Sequence, residues 1–179
     1  RKFYSILILA AALLGLAFLI FGLETPEAWV TDRFRTQETR SDCGAACVRI
    51  VLAVYGRKIS LEEARRRTKT TARGASMLDL KKALDSYGFH SEGWKFSPAD
   101  LDSIPLPSIV FVYGHHFSVL DVVNERFVEL VDPERGRVRM TRDRFFKAWD
   151  GHTLVIYTES TSYLEPRPDR FLRGVENHG

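Results

Sequence analysis

The chain has 179 residues, of which 45% are hydrophobic and 12% aromatic, enough for one compact domain with a short appendage and not for two full domains. Its 26 basic and 23 acidic residues leave a net charge of +3, which gives no general electrostatic reason to expect a nucleic-acid partner. There is no zinc-type Cys/His spacing and no glycine-rich phosphate loop, so neither a metal nor a cofactor is expected.

The stretch from Phe3 to Leu23 carries no charge. About 20 apolar residues in a helix cross a hydrocarbon core of about 30 Å. Arg1 and Lys2 precede this stretch, and Glu24 and Glu27 follow it. That charge bias predicts one transmembrane helix with its N-terminal end in the cytoplasm. The rest of the chain then lies on the periplasmic or extracellular side. A cleaved secretory signal is the competing reading. Its apolar region runs about 7–15 residues and ends in a small-x-small site, which Gly22-Leu23-Glu24 does not supply. The expected organisation is a transmembrane anchor over 1–24, a connecting arm over 25–35, a folded domain over 36–158 and a loosely attached polar tail over 159–179. Pro26 and mixed charges argue against a regular element in the arm.

A helix is predicted from Asp42 or Cys43 to Tyr55, with Gly56 as its stop. Arg49 is its one charge, and a helix without a polar face is normally buried all round. A second helix starts at Ser60, where Ser-Leu-Glu-Glu has capping-box form, and a third runs from Ser76 to just before Gly88. The basic stretch from Arg65 to Arg73 reads as a solvated helix end whose cations suit the C-terminal dipole. An anionic membrane surface or acidic partner is the other reading of it. After His90 come short β-branched and aromatic runs: 108–113, 117–123, 127–131, 138–140 and 153–158. A short helix near Asp143–Trp149 interrupts them. Helices first and strands afterward predict an α+β domain with an antiparallel sheet packed on a central helix.

Two cysteines, Cys43 and Cys47, cannot form a disulfide framework. Four apart on a helix, their Cβ atoms lie about 5–6 Å from each other, whereas a disulfide wants about 3.5–4.5 Å. Cys43 is therefore expected as a free thiol at a helix start, where unpaired N–H groups and the dipole favour an anion. A packed cysteine is the bland alternative, and it is the reading adopted for Cys47. His115 and His116 sit between two apolar strands, with Asp132 at the end of the next one. Adjacent strands can set a histidine and an acid side by side, and such an acid fixes the imidazole tautomer. Taken alone, the histidine can be structural and Asp132-Pro133 simply a turn. Gln37, six residues before Cys43, can donate its amide to a developing oxyanion beside the Cys43 N–H, or it can be a loop glutamine.

At these residues the sequence resembles the bacteriocin-processing, double-glycine leader peptidases. The resemblance rests on Gln37 followed by Cys43-Gly44-Ala45-Ala46, on His116-Phe117-Ser118-Val119, and on Val131-Asp132-Pro133 with Gly136. Phe145–Trp149 and Asp150-Gly151 extend it. It implies a papain-like cysteine peptidase fold and a thiol mechanism. In that mechanism Cys43 is the nucleophile, His116 the base, Asp132 the orienting acid and Gln37 an oxyanion donor. The pattern His-Phe-x-Val selects His116 over His115. The resemblance also implies cleavage of a leader peptide after Gly-Gly. The expected partners are a peptide or protein substrate with a leader segment, the membrane, and an export transporter as a separate protein. A non-cleaving leader-binding module, or another thiol acyl-transferase such as an amidase or transpeptidase, shares these residues and stays open at this point.

Overall fold

The computed structural model describes residues 28–32 and 36–157. The expected anchor and tail lie outside the described residues. Among the described residues no helix is long and apolar enough to cross a membrane.

The described chain forms one seven-stranded antiparallel sheet with helices on both faces. The helices are α1 (Cys43–Val54), α2 (Leu61–Arg67), α3 (Met77–Asp85) and α4 (Arg142–Ala148). The strands are β1 (Ala28–Asp32), β2 (His90–Lys95), β3 (Ser108–Val112), β4 (His116–Val123), β5 (Phe127–Asp132), β6 (Gly136–Thr141) and β7 (Trp149–Tyr157). Their spatial order is β1-β6-β5-β4-β3-β7-β2. Alternation along the strands divides the sheet into two apolar faces. Ile109, Phe117, Val119 and Leu154 pack with α1 and α3. Val110, Leu120, Leu130 and Val155 pack with Phe145 and Trp149 around α4.

Local chemistry places the helices. Ser60 caps α2 by accepting the Glu63 N–H at 3.1 Å. Ser76 and Asp79 cap α3 reciprocally, each accepting the other's N–H at 3.2 Å. α1 ends at Gly56, whose φ of +77° suits a residue without a Cβ. Cys43–Val48, Val51 and Leu52 are buried between the sheet, α2 and α3. Burial all round, as its sequence predicts, does not extend to the end: Val54 is 56% exposed. α2 has only seven residues, about 10 Å of helix, and cannot cover the last turn of a twelve-residue neighbour.

Two strands correct the sequence reading. The stretch assigned to a connecting arm without regular structure contains β1, which pairs antiparallel with β6 from Ala28↔Met140 to Asp32↔Arg137. Trp29, Val30 and Thr31 are good strand formers, and the pairing satisfies the edge of β6. β2 has no β-branched residue to announce it, yet it pairs with β7 along its whole length.

Gly151 holds the edge between β7 and the residue that follows β2. Its φ is +100°, and a Cβ there would lie 2.2 Å from the Phe96 carbonyl oxygen. The Phe96 N–H donates to the Gly151 carbonyl at 3.0 Å. Gly151→Ala should therefore destabilise the fold by more than about 2 kcal/mol. The check is the urea midpoint, with an unchanged midpoint counting against this close approach.

Candidate active site

Cys43 opens α1, with the small residues Gly44, Ala45 and Ala46 behind it. It is 6% exposed, so only a thin ligand reaches the sulfur. The Gly44 position is packed as tightly: a Cβ there would meet Leu80 at 2.9 Å and Phe117 at 3.4 Å. Asp42 precedes Cys43 but turns its carboxylate away from α1 and back to the Thr39 N–H at 2.7 Å. The first N–H groups of α1 are thereby left for an anion.

The histidine arrives on the β3–β4 hairpin. Its connection is three residues long: Tyr113 (φ +56°) and Gly114 (φ +71°) turn the chain, and the His115 N–H closes the turn on the Val112 carbonyl at 3.3 Å. The two adjacent rings then part. His115 is exposed and donates from Nδ1 to the Tyr113 carbonyl at 2.7 Å. His116 donates from Nε2 to Asp132 Oδ2 at 3.0 Å. Its side chain also lies close enough to Cys43 to favour the thiolate electrostatically. With Nε2 taken by the carboxylate, Nδ1 is the nitrogen left for the sulfur.

Asp132 ends β5 and is almost fully buried. Besides His116 it accepts the Ser118 hydroxyl at 2.9 Å and the N–H groups of Glu134 and Arg135 at 3.0 Å each. Ser118 was not among the sequence candidates. The signal was its place two residues after His116 on one strand, which puts both side chains on one side of the sheet.

These contacts set the charges. Burial raises the Cys43 thiol, but bonds from His116 and from the Phe117 and Gly44 N–H groups outweigh it and bring the pKa below its ordinary 9.0. Burial lowers His116, but its bonds to Asp132 and Cys43 outweigh that and raise it to about 9. Burial raises Asp132, but His116 and Ser118 hold it at about 2. The directions of these shifts all favour thiolate beside imidazolium beside carboxylate. Cys47, one turn on, is fully buried and pushed well above 9.0. Both thiols are free.

Gln37 is 3% exposed and lies beside the acid's turn, its N–H bonded to the Pro133 carbonyl at 3.2 Å. Its Oε1 is buried with no hydrogen-bond partner among the described residues. The structure thus brings Cys43, His116 and Asp132 together, with a bond between the last two, and seats Gln37 against the same turn. A cleft of about 570 Å³ opens from Cys43, lined by Ser76, Met77, Phe111, His115 and Phe117 among others.

A thiolate held below its ordinary pKa reacts with alkylating agents; a buried neutral thiol does not. Iodoacetamide at neutral pH should label Cys43 and leave Cys47 unmodified in the folded protein. The Cys43 rate should fall only as pH drops through the depressed thiol pKa. Equal labelling of both cysteines, read by peptide mass spectrometry, would contradict this electrostatic account.

Residues 32–161 match the model of the peptidase C39 family. The lactococcin-G-processing and transport ATP-binding protein of Lactococcus lactis subsp. lactis is 28% identical over 141 residues. That match covers 75% of this chain and 20% of the relative. The probable functional amyloid protease FapD of Pseudomonas fluorescens is 29% identical over 149 residues, covering 73% of this chain and 64% of that one. The chain thus spans less than two thirds of the length of either. Among solved structures, a double glycine motif protease from an AMS/PCAT transporter, in complex with the leader peptide, superposes with a TM-score of 0.65 and 25% identity. That superposition covers 74% of this chain and 98% of the other. The peptidase domain of Streptococcus ComA gives a TM-score of 0.62 at 23% identity, covering 71% and 98%. The chain belongs to the peptidase C39 family, a cysteine peptidase by family and papain-like in fold.

Proposed function

We propose that this protein is a membrane-anchored cysteine endopeptidase that cleaves a leader or precursor peptide after a Gly-Gly pair. The observation that carries the reading is the chain Cys43–His116–Asp132, with the His116–Asp132 bond at 3.0 Å. The Cys43 thiolate attacks the scissile carbonyl carbon. The oxyanion that forms accepts hydrogen bonds from the Cys43 N–H and the Gln37 amide. His116 then gives its proton to the leaving amine, and later takes one from the water that hydrolyses the thioester. Asp132 holds the imidazole and stabilises its charged form.

Several observations support the substrate class. The sulfur is nearly enclosed. Residues without a Cβ fit such a passage where larger ones do not. The similar solved structure is of a double glycine motif protease in complex with the leader peptide. The apolar floor formed by Met77, Phe111 and Phe117 suits apolar residues of that leader. The names of the lactococcin and ComA relatives support an export transporter as a partner. The uncharged stretch from Phe3 to Leu23 supports a single-pass anchor, and the flanking charges support a domain outside the cytoplasm.

Cys43→Ala should abolish cleavage of a Gly-Gly precursor with the fold intact, and unchanged processing by that variant would refute the assignment. Asp132→Asn should lower kcat/KM by about 10²–10⁴. Cleavage needs the imidazolium, so it should be lost as pH rises through about 9. Without the Asp132 charge that limb should move down toward 6.5. An alkaline limb that stays in place would show that Asp132 does not hold the proton.

Topology is tested separately. A single cysteine placed in the tail of a Cys43→Ser, Cys47→Ser chain should react with a membrane-impermeant maleimide on intact spheroplasts. Labelling only after lysis would place the domain in the cytoplasm.

A further inference from the structure

The loop from Gln37 to Asp42 is fastened at both ends, and the clasp of Arg65 on Asp42 has no role in the mechanism above. At the first end the Pro133 carbonyl accepts the N–H groups of Thr36 and Gln37 at 2.8 and 3.2 Å. At the second end Asp42 is 2% exposed, and its carboxylate is saturated. Oδ2 accepts the Thr39 N–H at 2.7 Å and the Glu38 N–H at 3.2 Å. Arg65 closes on both oxygens, from Nε to Oδ1 at 2.9 Å and from a terminal nitrogen to Oδ2 at 2.7 Å. That is the two-point geometry in which Arg and carboxylate bind with a fixed direction. Arg65 belongs to α2, whose Leu61 and Ala64 pack on Ala45 and Ala46 of α1. The loop is therefore referenced to the helix that carries Cys43.

Gln37 needs such a reference. Its amide oxygen is buried without a partner among the described residues, so no hydrogen bond at that atom fixes the amide. Its orientation then depends on the packing around it and on how the loop backbone on either side of it is held. The same guanidinium also reaches the exposed Glu38 at 2.8 Å, so Arg65 holds two residues of the loop from its partly exposed position.

We propose that the Asp42–Arg65 ion pair is a positioning device for Gln37, holding the loop so that the side-chain amide meets the oxyanion. This rests on the reading of Gln37 as an oxyanion donor. Asp42 and Arg65 touch neither substrate nor sulfur; they act through the loop.

Two reactions of the same sulfur separate this role from a merely structural one. Hydrolysis of acetyl-Gly-Gly p-nitrophenyl ester passes through a tetrahedral oxyanion. Alkylation by iodoacetamide does not: the thiolate displaces iodide and no oxyanion develops. In the full chain, Gln37→Ala should lower kcat on the ester by about 10²–10³. Asp42→Asn should lower it by about 10 to 100-fold with KM unchanged, while the alkylation rate of Cys43 and its pH midpoint stay as in the wild type. Arg65→Lys keeps the charge but loses the fork, and should fall between. Asp42→Asn added to Gln37→Ala should cost nothing further, because both remove one donor. Glu62→Gln, which removes an exposed ion pair on the same helix, should change nothing.

Loss of alkylation together with ester hydrolysis in Asp42→Asn would overturn the proposal, since the site as a whole would then have moved. So would an intact kcat in Asp42→Asn where Gln37→Ala lowers it. An intact kcat in Gln37→Ala would remove the oxyanion assignment and the clamp with it, leaving the Cys43 and His116 roles to stand on the Cys43→Ala result.

Discussion

The arrangement around Cys43 depends on how one carboxylate is held. Asp132 closes β5 with four hydrogen bonds, from His116, Ser118 and the N–H groups of Glu134 and Arg135. Two of these come from its own turn and two from the neighbouring strand. The turn therefore cannot shift without dragging the imidazole, and the imidazole cannot rotate without stranding a buried charge. The next residue in the chain, Pro133, lends its carbonyl to the segment that carries Gln37. One tight turn thus sets the reach of the histidine on one side and of the glutamine on the other. A helix start supplies the sulfur between them.

The sheet is what makes such a turn useful. Antiparallel pairing of β4 with β5 aligns Val119 with Val131, which brings Asp132 level with Ser118. A slip of one residue would point the acid at the opposite face. The apolar packing of Phe117, Val119 and Val131 against α1 fixes that register, because those side chains must meet Cys47, Val48 and Val51. The charged line on one side of the strands is held in place by the oily line on the other.

Much of this was legible in the residues, for physical reasons that differ from element to element. Ser60, Ser76 and Gly56 announce their helix ends because caps and left-handed glycines act locally. The runs around Ile109 and Val119 announce strands because β-branched residues recur there. The spacing of Gln37, Cys43, His116 and Asp132 was readable as a set, although spacing alone could not say which histidine turns inward. That choice is made by the Tyr113-Gly114 turn, whose left-handed backbone sends the two rings apart. β1 and β2 were not legible, since each is called into the sheet by a partner distant in sequence. The sequence around Arg65 has the form of a solvated helix end, whereas its clasp on Asp42 spans 23 residues that no local pattern connects. The stretch from Phe3 to Leu23 keeps the status that hydropathy gives it.

The seclusion of Cys47 bears on how the neighbouring sulfur ages in air. A thiolate attacked by peroxide becomes a sulfenic acid, which a nearby thiol can rescue by condensing to a disulfide. Cys47 is walled in and strongly disfavoured as an anion, so the chain carries no resolving sulfur of its own. Recovery of an oxidised Cys43 must come from a small reductant that can enter the cleft. In surroundings poor in such reductants, each oxidation event would advance toward the irreversible sulfinic form.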